Sequence, residues 1–123
     1  MTSPPLDNER FDRLYDLCAS DDVVDGERLF ENVASSLRSG FAELVACAAD
    51  REDWELASEV VHRILGISSM FGAVRLAALC RTLDEHDLEA QASDVIVWLG
   101  ALERELRKAV SAIEARRALR AGV

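Results

Sequence analysis

The sequence predicts an all-α protein, an antiparallel four-helix bundle with a short additional N-terminal helix. Three observations predict it. Half of the 123 residues are hydrophobic, enough for one core, and only two are proline. The frequent residues are Ala, Leu, Val, Glu and Arg, with little aromatic or Thr content. Apolar side chains recur three or four residues apart through segments separated by short polar punctuation.

Residues 1–6, with the Pro4–Pro5 pair, read as a flexible lead. Asp7 is a capping residue, and Phe11, Leu14, Tyr15 and Cys18 mark a short first helix. Ser20, Asp21 and Asp22 read as a loop. A longer helix is expected from about residue 25 to 49, on Leu29, Phe30, Val33, Leu37, Phe41, Leu44, Val45 and Ala48, with Gly40 as an interior weak point. Asp50 to Asp53 form a charged turn rich in capping residues. A third helix starts near it and runs to about Ser69 or Met70.

Gly72 punctuates the chain. A fourth helix, from about residue 73 to 85, carries Leu76, Leu79, Cys80 and Leu83. His86 and Asp87 make a turn. A final helix from about residue 88 to 118 carries Val95, Trp98, Leu99, Leu102, Leu106, Val110 and Ile113. Its basic end, with Arg116, Arg117 and Arg120, suits the negative pole of a helix dipole. The bundle is thus expected over residues 7–118, between the lead and a tail of residues 119–123.

The formal net charge of −9 argues against binding of nucleic acid, which needs an excess of Lys and Arg, though it does not forbid a local basic patch. The N-terminal residues carry no basic stretch followed by an apolar one, and no run approaches the roughly 18 apolar residues of a membrane span. A cytoplasmic location with no membrane partner is therefore expected. Cys18, Cys47 and Cys80 are odd in number, far apart and without C-x-x-C spacing. They read as free thiols in a reducing compartment rather than as a zinc site.

The run His62-Arg-Ile-Leu-Gly-Ile-Ser-Ser-Met-Phe-Gly72 is the most informative stretch. A mid-helix glycine costs roughly 1 kcal/mol relative to alanine, so Gly66 needs a reason. At about 100° per residue, Glu55, Ser58, Glu59, Gly66 and Ser69 fall within about 60° of His62. Ala57, Val60, Ile64, Ile67 and Phe71 form the opposite, apolar arc, with Val61 and Ser68 at its edge. His62 therefore sits at the centre of the polar face. Leu65 lies at the border of the two faces, either as peripheral packing or as an apolar contact for a docking partner.

These residues carry a resemblance. Asp53-Trp54-Glu55, His62, Gly66, Ser68, Gly72-Ala73, Leu76, Leu79-Cys80 and Leu83-Asp84 resemble the histidine-containing phosphotransfer (HPt) domain. The family pattern is approximately His-x-Leu-Lys-Gly-Ser-x-x-x-x-Gly-Ala followed by Leu-x-x-Leu-Cys-x-x-Leu-Glu. The core of the match covers residues 53 to about 85, and the flanking helices also fit. Two positions depart from the pattern. Leu65 stands where the family usually has lysine, and Ile67 where a small residue is usual. In the family that lysine lies near the phosphoryl group and helps offset its charge. Arg63, Arg75 and Arg81 are candidate replacements, and each reads equally as a solvated surface charge.

The resemblance implies that His62 is the phosphoryl-accepting nucleophile, passing a phosphoryl group between receiver-domain aspartates in a multistep two-component phosphorelay. A free histidine titrates near pH 6.5, so a neutral imidazole is available at cellular pH. The implied partners are receiver domains of response regulators or hybrid sensor kinases. The implied docking residues are Glu59, Arg63, Leu65, Gly66 and Ser69. No cofactor of the chain's own and no ATP-dependent kinase activity are expected; Mg²⁺ is expected on the partner receiver. Glu55 and Glu59 read as solvated helix charges, with orientation of the imidazole as the alternative for Glu59. Leu65 keeps a second reading open: an HPt-like module that docks a receiver or kinase and modulates it without transfer.

Overall fold

The computed structural model describes residues 3–20 and 24–122, and their regular structure is entirely helical. Helix α1 spans Asn8–Ser20 and α2 spans Val24–Val45, which runs into one π turn, Ala46–Asp50. Helices α3 (Trp54–Phe71), α4 (Val74–Asp84) and α5 (Ala92–Arg120) follow. Helix α3 packs against α2 and α4, and α5 packs against the same two, so the four long helices close into a ring. Cross-helix pairs set their directions. Arg63 reaches Glu43 between α3 and α2, Arg75 reaches Glu105 between α4 and α5, and Arg38 reaches Glu114 between α2 and α5. A second contact at each seam fixes the direction: Phe30 meets Phe71 between α2 and α3, His86, just past α4, meets Trp98 of α5, and Glu31 meets Arg117 between α2 and α5. In each pair one chain number rises as the other falls, so the neighbours run antiparallel.

The core is the set that the 3.6-residue period selects. Leu37, Leu44, Ile64, Leu76, Leu102 and Ile113 are almost completely buried. Each such side chain contributes about 1.5–3 kcal/mol by leaving water. Phe30 joins the ends of three helices, its ring meeting Phe11 and Phe71 edge-on with centroids 5.3 Å away in both cases. Gly40 has a structural use. A Cβ there would lie 3.1 Å from Cγ1 of Ile64, so the glycine lets α2 and α3 approach closely.

The starts of α1 and α3 follow the expected capping chemistry. The Asp53 side chain accepts the Leu56 N–H at 3.2 Å to open α3, and Asp7 does the same for Arg10 to open α1. Gly72 ends α3 in the left-handed conformation, φ 80°. A Cβ at Gly72 would sit 2.9 Å from the Asp7 carbonyl oxygen, and the Asp7 N–H donates to the Gly72 carbonyl at 2.7 Å. The α3–α4 turn and the start of α1 are thus locked face to face.

Several boundaries differ from the sequence expectation. The final helix begins at Ala92 rather than near residue 88, because the Asp87 side chain accepts the Ala90 N–H at 3.3 Å and turns the chain while Leu88 inserts into the core. It continues to Arg120, beyond the expected residue 118. The lead is not wholly loose: Leu6 is a core residue, and the Ser3 carbonyl accepts from Arg75. Ser20 closes α1 instead of opening a loop, and Asp21 and Asp22 lie outside the described residues. Leu29, placed on the apolar stripe of α2, is 38% exposed. No helix among the described residues is long and apolar enough to cross a membrane.

Candidate functional site

Helix α3 presents the site. Its buried face is Ala57, Val60, Val61, Ile64, Ser68 and Phe71, close to the arc read from the sequence. Ser68 is the polar member and satisfies its hydroxyl on the Ile64 carbonyl at 2.7 Å. Ile67 is half-buried rather than fully inside. Opposite this face the His62 side chain is 76% exposed. Gly66, one turn on, is exposed, and a Cβ there would meet nothing within 4 Å. Nothing inside the fold requires that glycine, in contrast to Gly40 and Gly72.

A carboxylate stands beside the imidazole that the reading of α3 alone missed. Oδ2 of Asp84, the last residue of α4, lies 3.6 Å from Nδ1 of His62. The two residues are equidistant in sequence from Ala73, so the α3–α4 hairpin brings them level. Angular placement on one helix cannot reveal a neighbour on the next; the symmetry of the hairpin about Gly72–Ala73 could have. The carboxylate lies just beyond hydrogen-bond distance, and its charge favours the tautomer with hydrogen on Nδ1, which keeps the lone pair on Nε2 of a largely exposed ring. Below Asp84, the Cys80 thiol is pushed up to about 12 by burial and then by the Asp84 charge, so it stays protonated.

The other expected site residues divide. Glu59 and Gly66 are exposed beside His62, and Ser69 is half-buried on the same face, its carbonyl accepting from Arg10 at 3.4 Å. Leu65 is half-buried and packed against the core, on the α4 side. Arg63 is exposed but engaged, its Nη2 lying 2.9 Å from Oε2 of Glu43 on α2. Arg75 is engaged further away, with Glu105 at 2.6 Å. His86 lies at the α4–α5 turn, its Nδ1 2.5 Å from the Thr82 carbonyl and its ring against Trp98.

An apolar patch borders the face on the α2 side. Met70 is 51% exposed, and it lines a shallow groove with Leu29, Val33 and Ile67. The sequence expectation missed it because Leu29 fits the buried stripe of α2. Among the described residues no three His, Cys, Asp or Glu side chains come together in a way that could hold a metal ion.

A family model described as the Hpt domain matches residues 23–116 of the chain. No curated protein and no solved structure gives a significant match.

Proposed function

The chain belongs to the Hpt domain family, which serves histidine phosphotransfer in phosphorelays, and on that premise we propose that it carries a phosphoryl group on His62 between receiver-domain aspartates. One observation carries this reading. A helix-central histidine stands out in solvent beside a glycine that the fold itself does not use. A protein that keeps a mid-helix glycine against its propensity cost, with open space around it, leaves room for another molecule to reach the neighbouring side chain.

In this mechanism the Nε2 lone pair attacks the phosphorus of an aspartyl phosphate on the receiver. The N–P bond forms as the P–O bond to the aspartate breaks, and the aspartate leaves as carboxylate. The imidazole keeps its Nδ1 hydrogen and becomes a phosphorylated imidazolium, whose developing positive charge faces Asp84. Reversal of the same step delivers the phosphoryl group to a second receiver. Such transfers pass through a loose transition state, so positioning and charge stabilisation supply most of the rate. The receiver brings Mg²⁺ and the acidic pocket. Gly66, Glu59, Ser69 and Leu65, with the apolar flank of Met70 and Leu29, form the docking face; Arg63 borders it. The reading includes a cytoplasmic location and no ATP-dependent kinase activity.

Leu65, in the position of the family's usual lysine, favours a second reading in which the chain docks a receiver without taking its phosphoryl group. A phosphorylated receiver mixed with the chain separates the two. The carrier reading expects acid-labile, alkali-stable label on the chain, lost in His62→Gln. Docking with no label, or label that persists in His62→Gln, contradicts it.

A further inference from the structure

The surroundings of His62 pose an electrostatic problem. Its neighbours on the exposed face include Glu55, Glu59 and Asp84, and the chain as a whole carries an excess of negative charge. A phosphoryl group adds about −1.5 to −2 more at neutral pH. Helix α3 supplies no free cation to balance it. Arg63 is tied to Glu43 toward α2, and Arg10 is tied to the Ser69 carbonyl near the far end of α3. On α4, Arg75 is occupied by Glu105 and the Ser3 carbonyl.

Arg81 remains. It is exposed, and its guanidinium has no partner among the described residues. The hairpin places it. His62 and Asp84 stand level across the α3–α4 contact, and both helices rise 1.5 Å per residue in opposite directions. Arg81, one turn before Asp84, is therefore level with Leu65, one turn after His62. Around α4, with Asp84 as zero, buried Cys80 lies about 40° to one side, and buried Ala77 and exposed Arg81 lie about 20° and 60° to the other, so Arg81 stands at the outer edge of the buried face. Leu65 is half-buried and packed against the core while Arg81 is exposed, so the guanidinium starts from the solvent side of that level. Neighbouring helices pack with axes about 8–10 Å apart, a gap that an extended arginine covers.

We infer that Arg81 is the phosphoryl-binding cation of this protein, reaching from α4 over Leu65 to a phosphoryl group on Nε2 of His62. The charge offset that the resemblance assigns to a lysine on the histidine's own helix comes here from the adjacent helix. The guanidinium also offers forked donors suited to phosphoryl oxygens. This inference rests on the carrier reading above and adds a residue to it.

The test measures phosphorylated-His62 lifetime and the rate of uptake from a phosphorylated receiver, and separately from phosphoramidate as a small donor. Wild type, Arg81→Ala, Arg81→Lys, Arg81→Glu and the double variant Leu65→Lys/Arg81→Ala are compared, with helicity checked by circular dichroism. Arg81→Ala should shorten the lifetime or slow uptake by about 2- to 5-fold at low salt, the scale of an exposed charge pair. The gap should close at about 1 M salt, where screening shortens to about 3 Å. Arg81→Lys should retain most of the effect, Arg81→Glu should be worse than Arg81→Ala, and Leu65→Lys should rescue Arg81→Ala. A labelled wild type from which Arg81→Glu cannot be distinguished overturns the role of Arg81 alone. A wild type labelled by neither donor overturns the carrier reading and this inference with it.

Discussion

At the scale of single residues, the site is a contrast between glycines. Gly40 and Gly72 are held by close contacts, whereas Gly66 is held by none. Gly66→Ala should therefore raise stability by about 1 kcal/mol through helix propensity. A larger side chain, as in Gly66→Gln, should stabilise less but obstruct the receiver more. Phosphoryl uptake from a receiver should fall several-fold more than uptake from phosphoramidate, as measured by denaturant melts and paired labelling rates. Equal losses with both donors would mean that Gly66 serves the chemistry of His62 rather than access to it. His62 and Gly66 were legible in the sequence because their placement depends only on the angular period of one helix. Asp84 was not, because it arrives from the next helix, nor was the use of Gly40, which depends on Ile64 across the α2–α3 contact.

At the scale of elements, the α3–α4 hairpin determines which side chains share the His62 face. Its turn needs a left-handed residue at Gly72, with the Asp7 carbonyl pressed against the position of a Cβ. Gly72→Ala should destabilise the protein by about 1–3 kcal/mol, the usual range for a strained left-handed residue. The urea midpoint would report it, and the loosened hairpin should weaken the pairing of Asp84 with His62. An unchanged midpoint would show that the turn relaxes without strain. Element types followed from periodicity, and the caps Asp7 and Asp53 act as expected. The late start of α5 escaped the pattern because Leu88 is apolar and in phase, yet it is buried from a turn rather than a helix. The π turn after α2 left no signal either, since Cys47 and Ala48 are buried as a continued helix would bury them.

At the scale of the whole molecule, α1 is clamped across the end of the bundle by charge. Arg116 grips Asp12 through Nε at 3.0 Å and Nη2 at 2.5 Å, and Arg120 pairs with Asp16 while lying over the Tyr15 ring. The Arg116 hydrogen bond holds the Asp12 carboxyl below the usual carboxylate range. A carboxyl whose folded-state value is depressed stabilises the fold above its unfolded value, near 3.9. That contribution is lost as pH falls through the lower folded value. Wild type should therefore exceed Asp12→Asn in Tm at pH 7, and the gap should shrink as the pH is lowered below about 4. A gap independent of pH would show that Asp12 acts through packing alone. The bundle, its helix directions and its α-only character were all readable from spacing and composition. The clamp was not, because it joins residues from opposite ends of the chain.

As a carrier, the chain must accept a phosphoryl group from a receiver on one of its two histidines. The most direct measurement is site-resolved mass spectrometry, at alkaline pH, of the chain after incubation with a phosphorylated receiver. One acid-labile phosphoryl group is expected, on His62, discharged when a second receiver is added. A chain that binds the receiver yet stays unmodified, or that carries the group on His86 or another residue, would contradict it.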